Sequence, residues 1–330
     1  MNNWLDITWK YRRPITIDNT NNSNTLTDYQ IKLSLNSSNF DFSKANSDGS
    51  DIRFTDSDGV TKLSYWIENW DSTNQTATVW VKVNSIPASS TKDIYMYYGN
   101  PSATSESNGD DTFVFFDDFN SGSLDGNKWY SNGASVSGGT CKLDGDSSNH
   151  QKGIKTKQTF PNTIHVYTRC RRSSSGDLDP NLWYTDISIT SSSTINGPDQ
   201  NGLAIWATEN SGSAGLYLNK SKKISLDNYT TTSWTDIEFR PTSGDLYAKI
   251  GSSSGHSNTT HSYNNQPITI AINSSSGYNL YVDYIRVVNY TSPAPSETVG
   301  NEELTPRNQY NSSFYSIYIY QLQYKELTAC

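Results

Sequence analysis

Histidine, cysteine, methionine and long apolar runs are all scarce in this 330-residue chain. No run reaches the roughly twenty apolar residues that span a bilayer, so a membrane helix is excluded and a soluble chain is expected. The four histidines (His150, His165, His256 and His261) fall at no zinc-ligand spacing. Neither a Gly-x-Ser-x-Gly elbow nor a phosphate-cradling glycine loop occurs. Basic clusters are equally rare. Lys and Arg number 25 against 33 Asp and Glu, a net charge of −8, and the densest basic patch is Arg169, Arg171 and Arg172. Phosphate recognition needs a concentrated basic surface, so a nucleic-acid partner is not expected. The opening Met1, Asn2, Asn3, Trp4, Leu5 and Asp6 has neither a basic start nor an apolar core of a secretory leader. An extracellular, cell-surface or virion location is nevertheless expected, reached after removal of a leader or by lysis. The three cysteines are an odd count. Cys141 and Cys170 sit on inward-facing strand positions, either as a pair or as buried free thiols, and Cys330 is the last residue.

What the chain has in quantity is β-formers and turn-formers. It holds 22 Tyr and 9 Trp against 2 Met, in a background of Ser, Thr, Asn and Gly that favours strands and turns over helices. The fold class expected is all-β, two antiparallel β-sandwich (jelly-roll) domains in tandem. Tyr29, Ile31, Leu33 and Leu35 alternate with Gln30, Lys32 and Ser34, and Ala77, Val79, Val81 and Val83 alternate with Thr78, Trp80 and Lys82. That is the period of a strand with one buried face. The apolar pattern stops between Asn100 and Asp111, where Pro101, Ser102, Ser105, Ser107, Asn108 and Gly109 read as a linker. The first domain is therefore expected over 1–109 and the second over 110–291. The clearest strands of the second are Ile164 to Arg169, Leu203 to Ala207, Gly215 to Leu218, Trp234 to Phe239, Leu246 to Ile250, Ile268 to Ile272 and Leu280 to Val288. The last is apolar on both faces, Val282, Tyr284 and Val288 against Tyr281, Ile285 and Val287, and belongs centrally in a sheet. Residues 292–330 read as a Pro-rich acidic spacer (Pro293, Pro295, Glu297, Glu302 and Glu303) followed by a tyrosine-rich stretch from Ser313 to Tyr324. So aromatic a strand should dock on a sheet or join an oligomer, since bare apolar edges pair with other chains.

Trp9 to Ile17, Asp48–Gly49–Ser50–Asp51–Ile52–Arg53–Phe54–Thr55, Tyr65–Trp66–Ile67–Glu68 with Trp70, Val79 to Val83, and Ile94 to Asn100 together resemble the domain-of-unknown-function 2341 family, over residues 4 to 104. The resemblance implies a domain found in archaeal and bacterial surface proteins and some viruses, often beside lectin-like domains. Phe116–Asp117–Asp118–Phe119–Asn120, Leu124 to Trp129 and Val282 to Val287 resemble concanavalin-A-like jelly rolls, the fold of legume-type lectins and laminarinase-type glycoside hydrolases. That similarity implies two curved antiparallel sheets meeting ligands on the concave face or at rim loops.

Retaining hydrolases of that superfamily place two carboxylates on one strand face through a Glu-x-Asp-x-Glu pattern. This chain has eight glutamates, none so spaced, and Ala214, Gly215, Leu216, Tyr217 and Leu218 stand where the pattern would be. Asp236 and Glu238 share a strand face without a partner motif. The chain is therefore read as non-catalytic. Sugars stack their C–H faces on aromatic rings, and Trp183, Tyr184, Trp206 and Tyr217 are the candidate glycan-binding residues, each with the alternative of filling the core. Asp117 and Asp118 are candidate ligands of a structural calcium ion, beside Asp144 with Asp146 and Asp177 with Asp179; an ordinary turn is the other reading. Two functions of different class stand open: glycan recognition at a surface, and a structural role in a virion or filament with residues 305–330 mediating homo-oligomerisation. A divergent glycosidase is a third.

Overall fold

The computed structural model describes residues 3–144, 152–173, 178–185, 201–206, 214–227, 232–274 and 279–306. The chain is all-β and forms two compact units. One comprises residues 1–112 together with the chain from 292 onward, the other residues 113–291.

Seven strands precede the boundary: β1 (Tyr11–Asp18), β2 (Leu26–Asn36), β3 (Arg53–Thr55), β4 (Lys62–Leu63), β5 (Tyr65–Asp71), β6 (Thr76–Ile86) and β7 (Thr91–Tyr98). Strands β1, β7, β3 and β4 pair in that order, and β2, β6 and β5 form a second antiparallel sheet. Alternation explains the sandwich. Ile31, Leu33 and Leu35 stand opposite Val81, Val79 and Ala77, all buried, and pack against Ile15, Ile17, Phe54, Ile94 and Met96 of the other sheet. The polar residues in between take the opposite face.

Two family-like motifs meet inside this unit. The fully buried Asp51 accepts hydrogen bonds from the backbone N–H groups of Asn46 (2.8 Å), Gly99 (2.8 Å) and Asn100 (3.1 Å). Its own carbonyl accepts the Trp9 indole N–H at 2.9 Å. A buried carboxylate survives only when hydrogen bonds replace its water, and here they tie the turn before β3 to the end of β7. Gly99 is required there: its φ is +84°, and a Cβ would lie 2.6 Å from the Tyr11 ring.

The segment after β7 is bound to its own unit rather than being a free linker. Ile67 N–H donates to Ser107 Oγ, and Asn108 N–H donates to the Tyr65 carbonyl, so it seals the edge of β5 before the one-turn helix α1 (Gly109–Thr112).

The second unit begins with β8 (Phe115–Asp117), β9 (Trp129–Asn132), β10 (Ala134–Ser137), β11 (Thr140–Asp144) and β12 (Lys152–Thr156). It continues through β13 (Ile164–Arg172), β14 (Leu178–Tyr184), β15 (Leu203–Trp206), β16 (Gly215–Leu218) and β17 (Ser221–Ser225). It ends with β18 (Thr235–Arg240), β19 (Leu246–Ile250), β20 (Ser253–Ser257), β21 (Ile268–Ser274) and β22 (Asn279–Asn289). One sheet runs β10-β11-β22-β13-β18-β19-β20, with β8 also on β22; the other runs β17-β16-β15-β14-β21-β12-β9. Every pairing is antiparallel, and a hydrophobic cluster lies between the sheets, with Thr168 and Arg172 buried on the same strand positions as Ile164, Val166 and Cys170.

Strand β22 is central, as its two apolar faces imply, but its faces divide differently from simple alternation. Arg169 pairs with Tyr284 while the next residue, Cys170, pairs with Val282. Asp283 is therefore an extra residue, a β-bulge that flips the parity of the strand. Leu280 and Val282 before it share the core with Ile285 and Val287 after it, and Tyr284 and Val288 fall outside that core cluster. The same strand separates the cysteines. Cys141 and Cys170 both stand opposite Val282 from its two sides, so two strand spacings, about 9.6 Å, lie between them. A disulfide bridges Cα atoms less than about 7 Å apart, and both cysteines are buried without being joined in a disulfide.

The acidic connector is not a spacer. It returns to the first unit as β23 (Ser296–Val299) and β24 (Glu303–Leu304), which pair antiparallel with β1. Glu303 accepts from the guanidinium of Arg12 at 2.6 Å, and Arg12 is only 2% exposed. Glu302 accepts from Lys44 Nζ (2.6 Å) and from the Tyr98 hydroxyl (2.7 Å). Charges that look solvated in the sequence are the partners of charges 258 and 291 positions earlier. The two domains are thus nested rather than in simple tandem, with residues 113–291 inserted into the first. The Tyr-rich stretch from Ser313 to Tyr324 lies outside the described residues.

Candidate functional site

Registers across the seven-stranded sheet line up two complete rows on the face turned away from the core. The first is Tyr130, Lys155, Thr269, Trp183, Ala204, Tyr217 and Lys222, one residue from each of β9, β12, β21, β14, β15, β16 and β17. The second is Asn132, Gly153, Ala271, Asn181, Trp206, Gly215 and Ser225. Neither row contains an Asp or a Glu. The small residues of the second row follow from close backbone approach: a Cβ on Gly215 would lie 2.1 Å from the Ile224 carbonyl, and one on Gly153 2.6 Å from the Ile270 carbonyl.

Three of the four expected glycan residues meet on this face, and the fourth does not. Trp206 and Tyr217 are half-buried and touch edge to face with ring centroids 5.9 Å apart. Trp183 lies diagonal to Trp206, at a Cβ separation of roughly 7–8 Å for such neighbours, and is 2% exposed beside Ala204. Tyr184 is a correction. Adjacent strand residues point to opposite sides, so Tyr184 enters the core, fully buried, with its hydroxyl donating to the Phe160 carbonyl at 2.7 Å.

Three polar atoms on this face are buried without a hydrogen-bond partner: Trp183 Nε1, Trp206 Nε1 and Thr269 Oγ1. Each such atom costs about 1–3 kcal/mol, and native proteins satisfy nearly all of them with protein, water or ligand. Trp183 and Thr269 face each other directly in the register, so the three orphans form one patch. Cations flank it. Lys222 lies over the Tyr217 ring at 5.5 Å, and Lys155 and Lys157 lie over the Tyr130 ring at 5.6 and 5.1 Å. Sequence reasoning found the aromatics by type alone. It missed Thr269, Tyr130 and the lysines, whose only signal is their place in the registers.

On the outer face of the eight-stranded sheet several charged side chains pair with one another. Glu238 contacts Lys249 Nζ at 2.6 Å and His165 at 3.4 Å. Burial opposes ionisation of Glu238, but the hydrogen bonds from His165 and Lys249 outweigh it and bring the carboxyl down to about 2. Burial also holds His165 below its ordinary range, so Lys249 is the standing counter-charge. Arg169 lies between Asp236 (3.8 Å) and Asp283 (3.6 Å). A carboxyl so strongly ionised is a poor proton donor near neutrality. His261 accepts from Tyr263 N–H and bonds the Pro241 carbonyl.

The calcium reading of Asp117 and Asp118 is not supported by their bonding. Asp117 is buried, accepts from Phe119 N–H (2.8 Å) and from the Trp129 indole (2.7 Å), and burial raises its carboxyl. Asp118 accepts twice from Asn120. These oxygens close a turn, and no group of three or more candidate metal ligands occurs among the described residues. Asp146 and Asp177 lie outside the described residues, as does His150.

A family model described as "Domain of unknown function (DUF2341)" matches residues 48–132. It starts at the Asp48–Gly49–Ser50–Asp51 motif rather than at residue 4, and runs past the boundary expected at 104. An uncharacterized protein of Methanocaldococcus jannaschii is 32% identical over 124 residues, 34% of this chain and 22% of that protein. The chain thus spans about a fifth of the length of the curated relative it matches. Among solved structures, the laminarinase from Rhodothermus marinus aligns over 55% of this chain and 98% of its own at 12% identity and a TM-score of 0.40. The VIP36 exoplasmic/lumenal domain in its Ca2+/Man3GlcNAc-bound form aligns over 55% and 87% at 12% identity and a TM-score of 0.40. The Emp46p carbohydrate recognition domain aligns over 50% and 89% at 14% identity and a TM-score of 0.38.

Proposed function

We propose that this chain is a non-catalytic, surface-displayed glycan-binding protein that recognises saccharide on the outer face of the seven-stranded sheet. The observation that carries the reading is the patch of Trp183, Trp206 and Thr269, whose buried polar atoms have no partner among the described residues, beside the half-buried ring of Tyr217. A sugar suits it on two counts. Its C–H face stacks on Trp206 and Tyr217, and its oxygens meet the indole N–H groups. The non-catalytic part is supported by the two rows, which hold no Asp or Glu.

The test is a glycan array probed with the full chain and with a Trp206→Ala variant of unchanged fold by circular dichroism. Binding by the parent that drops at least about tenfold in the variant, the size of one lost aromatic contact with its hydrogen bond, supports the reading. A parent blank across the array sinks it. Release of reducing sugar from any bound glycan would overturn the non-catalytic part alone.

A further inference from the structure

We propose a second binding site, on the outer face of the eight-stranded sheet, where Arg171 holds the carboxylate of a ring-bearing organic acid. The densest basic stretch of the sequence, Arg169, Arg171 and Arg172, is split by the fold into three environments. Arg172 takes the core-side parity of β13 and is fully buried. Arg169 lies between Asp236 (3.8 Å) and Asp283 (3.6 Å). Arg171, on the same face as Arg169, places its guanidinium carbon over two rings, 4.2 Å from the centre of Tyr281 and 5.1 Å from that of Trp234. It has no hydrogen bond and no carboxylate within ion-pair distance among the described residues. Arg12, Arg13, Arg53 and Arg240 by contrast each donate to a carboxylate, hydroxyl or carbonyl oxygen.

A guanidinium over aromatic rings keeps its N–H groups at its edge, in a planar fork that matches the two oxygens of a carboxylate. The rings hold the side chain in place, so less freedom is lost when a ligand binds. The neighbouring charges choose the ligand. Lys142, across Tyr281 in the register, contacts Asp144, and Arg169 is offset by its two acids, so Arg171 is the cation of this group without a carboxylate. One such charge suits a monoanion. The acids of the adjoining positions, Asp144, Asp236 and Asp283, oppose a dianion such as sulfate more than a single carboxylate. Trp234 and Tyr281 are half-buried, and their open ring surface lies where the carbon ring attached to that carboxylate can rest, by its C–H face or by a flat aromatic face. The site is on the opposite sheet from Trp206 and does not depend on the glycan reading.

The isotope-labelled full chain would be titrated with sodium glucuronate, sodium benzoate, sodium sulfate and glucose while the tryptophan indole N–H resonances are followed by NMR, that of Trp234 being assigned by its loss in Trp234→Phe. The expected result is a saturable shift of the Trp234 resonance with one or both carboxylates, weakened by added salt, with sulfate and glucose each at least about tenfold weaker. The two carboxylate arms separate a sugar acid from an aromatic acid. Arg171→Gln and Arg171→Lys are each expected to lower affinity about tenfold, the size of a hydrogen bond to a charged group; the lysine variant keeps the charge and removes the fork. The thermal midpoint of each variant checks that the fold is kept, and Trp206→Ala is expected to leave the titration unchanged. No saturable shift with either carboxylate, equal affinity in Arg171→Gln, or sulfate or glucose bound as tightly as the carboxylates would overturn the proposal. Parent-like binding by Arg171→Lys would overturn recognition by the fork, and loss of the Trp234 shift in Trp206→Ala would overturn a separate site.

Discussion

The two units of this chain use buried polarity differently. The first unit holds charged groups inside through partners distant in the chain: Asp51 by three backbone N–H groups, Arg12 by Glu303, Asn3 and Tyr97. The second packs a hydrophobic cluster between its sheets, and the polar atoms of Trp183, Trp206 and Thr269 on the outer face of one sheet are buried without a hydrogen-bond partner among the described residues. In the first unit polarity specifies which turn joins which strand. In the second, the unpartnered atoms of Trp183, Trp206 and Thr269 carry the proposed site. The recognisable motif Asp48 to Thr55 is therefore a record of architecture, while the proposed site is built from residues that form no motif.

The harshest way to break this contrast is to cut the chain after Thr291. The first unit then loses β23 and β24, and the guanidinium of Arg12, 2% exposed, loses its carboxylate. An unpaired buried charge costs about 3–5 kcal/mol, a large part of a domain's total. The first unit's unfolding transition in urea is expected to vanish or fall to the lowest denaturant while the second keeps its own; a first unit unmoved by the truncation would show that the returning strands are decoration. Next in size is Asp51→Ala, which strands three N–H groups and is expected to cost about 3 kcal/mol, read as a shifted midpoint of the first transition only.

Acid tests the second unit. His165 and Glu238 are both depressed in the folded state, so the unfolded chain binds their protons more readily and stability falls with pH. The loss begins near the ordinary histidine value of 6.5 and continues through the interval from 4.5 to about 2 as Glu238 protonates. Asp117 and Asp283, raised by burial, work in the opposite direction. Glu238→Gln isolates the effect: the urea midpoint of the second transition should lose part of its drop between pH 5 and pH 2.5, and an unaltered pH curve would refute the pairing with Lys249. The smallest effect belongs to Tyr130→Ala. Tyr130 is 54% exposed, so stability should move by less than about 0.5 kcal/mol, and a larger shift in the thermal midpoint would mean that the outer face is part of the fold's support.

Much of the architecture was legible. Seven apolar strands of the second unit stand within a few residues of where alternation puts them, and β22 is central as its double apolar face requires. Strands such as β10 and β20, with sequences Ala-Ser-Val-Ser and Ser-Ser-Gly-His-Ser, carry no apolar period because they gain their order from a neighbour's hydrogen bonds. The site was half legible. Trp206 and Tyr217 declared themselves by type, while Tyr184 was misplaced because two adjacent residues cannot share one face of a strand.

The sequence by itself determined that the chain is β throughout, that it holds two sandwich cores, and that it lacks the carboxylate spacing of a retaining glycosidase, since each of these follows from residue type and local period. Only the tertiary structure decided that the acidic tail closes the first unit, that one bulge at Asp283 sets the faces of β22, and that Thr269, Trp183 and Trp206 meet. Those facts depend on register between strands far apart in the chain, and a one-residue slip in register exchanges core for surface.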